Sequence, residues 1–91
     1  MPMSNLDVAE KALNILSKVC EFKGVYVGYP KLVRDVAAAR VVEHSNNGVK
    51  TQMFTIIAMN GMVLEGYILY KNEKVVSAKL EIEIGGKPYT L

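Results

Sequence analysis

The sequence predicts an α+β domain: an N-terminal helix and a second, shorter helix packed on an antiparallel meander of three to five strands. Three observations carry this. Apolar residues recur at helical spacing over the first quarter of the chain, they alternate with polar ones towards its end, and Asn60-Gly61 stands between two apolar runs as a hairpin signal. At 91 residues there is room for one core, so 1–91 is read as a single domain whose last residues, 85–91, form a tail.

The first helix is expected over 4–23. Ser4 followed three residues later by Asp7 resembles a capping box, with an acid where the helix dipole favours it. Gly24 stands where a helix needs a left-handed residue to end. Polar positions Asp7, Glu10, Lys11, Asn14, Ser17, Lys18 and Glu21 make one narrow strip. Beside it run two apolar stripes: Leu6, Ala9, Leu13, Leu16, Cys20, and Val8, Ala12, Ile15, Val19, Phe22.

Residues 24–48 are more mixed. Val25-Tyr26-Val27 lies between glycines and suits a short strand, and Pro30 suits a first helical turn. Leu32, Val33, Val36, Ala37, Ala39 and Val41 have partly helical spacing, which predicts the second helix over 31–40. The stretch 41–45 reads equally as its continuation or as a strand entering the turn Ser45-Asn46-Asn47-Gly48.

From 49 onward the pattern is β. A two-residue Asn60-Gly61 turn would join strands 49–59 and 62–71 and set Phe54 opposite Tyr67. The first of these strands has apolar residues on both faces, Phe54, Ile56, Ala58 and Met53, Ile57, Met59, so it is expected to be central or covered on both sides. A second turn at 71–74 leads into a strand over 75–84. Val76, Ala78, Leu80, Ile82 and Ile84 there alternate with Ser77, Lys79, Glu81 and Glu83, leaving one face in water.

Composition removes several functions. The chain is 51% hydrophobic and 22% charged with three prolines, which excludes disorder. Its longest aliphatic runs are four residues, 36–39 and 56–59, far short of the roughly 20 that a membrane span needs. The first residues carry no basic-then-apolar signal pattern, and one cysteine builds no disulfide framework, so a cytoplasmic protein is expected. Eleven basic and nine acidic residues are interspersed, so a nucleic-acid partner is not favoured.

Catalytic groups are few. Cys20 and His44 are the sole cysteine and histidine, Cys20 within an apolar stripe and His44 beside Glu43, so neither a metal site nor a nucleophile pair is predicted. No glycine pattern makes a phosphate-binding loop, and no cofactor is expected. Glu65, an acid among apolar neighbours, is read as a solvent-facing strand residue rather than a buried carboxylate.

The segment Gly66-Tyr67-Ile68-Leu69-Tyr70-Lys71-Asn72-Glu73-Lys74-Val75-Val76-Ser77-Ala78 resembles the hairpin signature G-x-[IL]-x-[FY]-x-x-G-x-[ILV]-x-x-A of the PATAN-like domains of bacterial response regulators and of similar archaeal domains. Gly66, Ile68, Tyr70, Val75 and Ala78 fall on the pattern, and Glu73 stands where the family has glycine. The resemblance covers about 13 residues and implies a non-catalytic protein-interaction module in a signalling chain.

The expected function is therefore a non-enzymatic interaction or scaffold module, regulatory in setting, that self-associates as a homodimer and meets a further protein partner. A small sheet can cover one helical stripe only, which leaves Leu6, Ala9, Leu13, Leu16 and Cys20 as the expected homodimer interface. The other readings are a nucleic-acid-binding protein, a small-molecule sensor with a pocket between helix and sheet, and an enzyme whose active site is shared between subunits.

Overall fold

A computed structural model describes residues 5–91, so Ser4 and the cap expected of it lie outside the described residues. One long helix, α1 (Asn5–Lys23), is followed by a loop, a single 3-10 turn at Val33–Asp35, and five strands. These are β1 (Val36–Asn46), β2 (Val49–Ala58), β3 (Val63–Lys71), β4 (Lys74–Ile84) and β5 (Lys87–Thr90). They pair in chain order as one antiparallel meander, β1-β2-β3-β4-β5. The α+β class and the meander are as the sequence predicts.

α1 ends as its sequence dictates. Gly24 has φ +69°, its N–H donates to the Glu21 carbonyl at 3.3 Å, and the Val25 N–H donates to the Cys20 carbonyl at 3.0 Å. That pair of bonds is a Schellman motif, which satisfies carbonyls the helix leaves unpaired. The helix buries Ala9, Ala12, Ile15, Leu16 and Val19 against one sheet face. There Ala12, Ile15, Leu16 and Val19 meet Phe54, Ile56, Leu64, Ile68, Leu80 and Ile82 in a single core.

The expected second helix over 31–40 is absent. Only Val33–Asp35 turns helically, with the Asp35 carboxylate accepting the Lys31 and Leu32 N–H groups at 3.1 and 3.0 Å. The next residue begins β1, and 41–45 is strand. The three alanines favour helix intrinsically, but pairing along β2 and burial of Val36, Ala39 and Val41 override that preference. A register shift between Val36 and Ala38 interrupts the alternation, so the strand period is hidden in the sequence.

Turn chemistry orders the meander. Asn47-Gly48, Asn72-Glu73 and Gly85-Gly86 all have positive φ, as type I′ two-residue turns require. The last of these folds the expected tail back as β5, a fifth strand that pairs with β4. Asn60-Gly61 behaves differently. The Gly61 N–H donates to Ala58 at 2.9 Å and the Ala58 N–H to Met62 at 2.8 Å, so the loop has three residues, Met59-Asn60-Gly61, with Gly61 at φ +89°.

That extra residue moves the β2–β3 register by one. Phe54 lies opposite Gly66, and Tyr67 opposite Met53, so the expected Phe54–Tyr67 pair is not formed and the two rings are on opposite faces. Gly66 is required where it stands. A Cβ there would lie 1.9 Å from the Lys79 carbonyl oxygen.

Candidate interaction surface

α1 lies across β1 to β4 on one side of the sheet, and nothing among the described residues lies on the other. The molecule is accordingly a slab, 38 × 33 × 19 Å, which is the thickness of two layers. On the uncovered side the strand registers align side chains in five rows, the last of them Asn46, Val49, Lys71, Lys74. The first is Ala38, Ile57, Val63, Glu83, and the second Arg40, Thr55, Glu65, Glu81. The third is Val42, Met53, Tyr67, Lys79, and the fourth His44, Thr51, Leu69, Ser77.

The middle of this face is apolar and wet. Met53 is 43% exposed and Ile57 41%, with Val42 exposed and Val63, Tyr67 and Leu69 half-buried around them. β2 is central, as expected, but it is not covered on both sides. Glu65 faces solvent here, directly opposite Glu81 of the neighbouring strand. Like charges so placed repel. The two ion pairs between described residues, Lys11–Glu43 and Lys50–Glu43, both lie on the helix side, and neither uses Arg40, Glu65 or Glu81.

The helix-stripe interface predicted from sequence is not one free surface. Ala9 and Leu16 are buried in the chain's own core, Leu13 and Cys20 are half-buried, and only Leu6, at 68%, is open to solvent. The broad sheet reaches into both stripes at once, because α1 lies over four strands rather than two or three.

A second feature opens on the helix side, where the β1–β2 and β3–β4 turns meet and the Asn72 N–H donates to the Gly48 carbonyl at 2.9 Å. A cleft of about 730 Å³ there is lined by Lys18 of α1, by Ser45, Lys50, Gln52 and Tyr70 of the sheet, and by Asn72 and the acid Glu73 of the β3–β4 turn. Gln52 is 7% exposed. Its Nε2 donates to Glu43 Oε2 at 2.9 Å, and its Oε1 is buried with no hydrogen-bond partner. The hydrogen bond from Lys11, with Gln52 adding to it, holds the Glu43 carboxyl below its ordinary range. Lys50 lies near Glu43 and over the Tyr70 ring, 5.9 Å from its centre.

Cys20 and His44 are not brought together. Burial raises the Cys20 thiol, partly offset by a backbone hydrogen bond from Val27, so thiolate is disfavoured. His44 lies in the fourth row, across the sheet from α1. Among the described residues no three His, Cys, Asp or Glu side chains gather as metal ligands would, and no helix is long and apolar enough to cross a membrane. No family model, no curated protein and no solved structure matches the chain. The reading of its function therefore rests on this geometry.

Proposed function

We propose that the protein is a non-enzymatic interaction module that self-associates, using the uncovered sheet face rather than the helix. The observation that carries this is the apolar centre of that face, Val42, Met53, Ile57 and Tyr67, left in water by a fold that has only one helix to spend. Sheets that bury one face solvate the other with polar side chains, and contiguous exposed apolar area marks contact surfaces. A regulatory setting in the cytoplasm fits the resemblance of 66–78 to a signalling-domain hairpin. A homodimer is the commonest arrangement of such a chain.

The test separates this face from the core. Met53→Asp with Ile57→Asp should give a folded monomer, because both side chains already stand partly in water. Leu16→Glu should unfold the domain. Circular dichroism reports folding and sedimentation velocity reports mass. A double variant that stays as associated as the unmodified protein would remove the proposal.

One observation favours a second reading, a small-molecule sensor. Buried polar groups are almost always paired, so the orphaned Gln52 Oε1 on the wall of a lysine-bearing cleft suits a site for a small anion carrying an N–H or O–H donor. Melting the protein with and without millimolar citrate or inorganic phosphate tests it. An upward shift that Lys50→Met abolishes supports the reading, and unchanged melting in both anions opposes it.

A further inference from the structure

We infer that the cleft between the two turns holds a free α-amino acid, its carboxylate on Lys18 and Lys50 and its ammonium group on Glu73 and Gln52. This rests on the second reading above, that the cleft is a small-molecule site, and adds that the donor the anion carries is itself charged.

The helix-side pairing of the strands builds the walls. Ser45, Lys50 and Tyr70 stand side by side in one row, with Glu43 and Gln52 in the next. Gln52 is the one buried polar side chain among the described residues. Beyond it, where a core would continue with apolar side chains, the row offers a hydroxyl, an ammonium group and a phenol. Lys18 of α1 still reaches over that row, and the two turns close its end. Polar side chains enclosed in this way, rather than left in open solvent, are the usual fabric of a small-molecule site.

Charge decides the class of ligand. Lys18 and Glu73 line the same cleft, yet they do not pair with each other, and neither enters an ion pair with another described residue. Opposite charges held apart across one opening suit a molecule that carries both. Phosphate or citrate satisfies the lysines and is repelled by Glu73, whereas a simple amine satisfies Glu73 and is repelled by the lysines. The orphaned amide oxygen asks for the same ligand. Gln52 Nε2 is committed to Glu43, and Oε1, an acceptor only, is buried without a partner. An ammonium group has N–H donors enough for Glu73 and for this oxygen together. Lys50 is the movable wall beside Gln52, since its side chain is 48% exposed and its stem is flexible. Turning from Glu43 to a bound carboxylate, it uncovers Oε1, and Glu43 keeps Lys11 as its partner.

Glu73 adds a separate sign. It is held at φ +68°, in the position where the resembled hairpin has glycine and where glycine would be unstrained. Strain of this kind persists where a side chain serves a site, and this carboxylate lines the cleft.

Thermal melting of the whole chain tests the inference. Each common L-amino acid is added at about 10 mM, and the most effective one is compared with its N-acetyl and amide derivatives, which keep one charge each. At least one amino acid should raise the melting temperature by about 5 °C or more, and both derivatives by less than about half as much. Glu73→Gly should melt higher than the unmodified protein without ligand, yet lose most of the amino-acid shift. Lys18→Met should lose it too, and a cooperative melt shows that each variant is folded. An N-acetyl derivative or inorganic phosphate as effective as the amino acid would overturn the doubly charged ligand and leave the anion reading standing. An equally effective amide, or a shift that Glu73→Gly retains in full, would overturn the inference. No shift with any amino acid, phosphate or citrate would overturn both.

Discussion

Glu73 is held in a left-handed conformation, φ +68°, immediately after Asn72 at +51°. Asparagine tolerates that region because its short side chain bonds locally, whereas a glutamate there costs about 1 kcal/mol or more. Glu73→Gly should therefore stabilise the domain by roughly 0.5–1 kcal/mol, net of glycine's greater freedom in the unfolded chain. A rise of a few degrees in melting temperature is expected. A fall would mean that the Glu73 side chain makes a compensating contact. The residue was conspicuous in the sequence, as the position where the resembled hairpin has glycine, but its backbone angle could not be read there. Gln52 illustrates a different limit: nothing in Thr51-Gln52-Met53 tells that an amide is buried beside Glu43, nine residues away, because only the β1–β2 register brings them together.

The elements differ in how plainly their sequence speaks. α1 was legible because polar residues at three- and four-residue spacing leave no alternative, and β4 because its alternation survives over most of its length. The first part of β1, 36–40, has the spacing of a helix, and 41–45 fits helix or strand equally. Its alanines and its register shift at Ala37 imitate helical spacing, and the decisive fact, its pairing with β2, is not local. β5 is only four residues long and reads as a tail, although Gly85-Gly86 is a strong turn signal. The β2–β3 hairpin is legible in place but not in register, since Asn-Gly serves a three-residue loop as well as a two-residue one. In both cases Gly61 needs positive φ. Gly61→Val should cost about 1–2 kcal/mol, read as a lower denaturation midpoint at unchanged slope. An unaltered midpoint would mean the loop does not depend on Gly61.

At the scale of the molecule, one helix and five strands make two layers, and a two-layer slab has one sheet face without cover. The helix-side core explains why the domain folds. It does not explain Met53, Ile57 and Tyr67 in water. From sequence, self-association points to the helix, because α1 is apolar over a wide arc and the breadth of the sheet beneath it depends on pairings that are not local. The alternation Thr51, Met53, Thr55, Ile57 was the available sign that this face of β2 is half polar and therefore not interior. Occupation of that face by a second copy, as proposed, would cover this apolar surface. The most direct measurement is sedimentation equilibrium of the unmodified protein at tens of micromolar, the range in which a modest interface is populated. The account predicts the mass of two chains, falling towards one on dilution. The mass of a single chain across that range would contradict it.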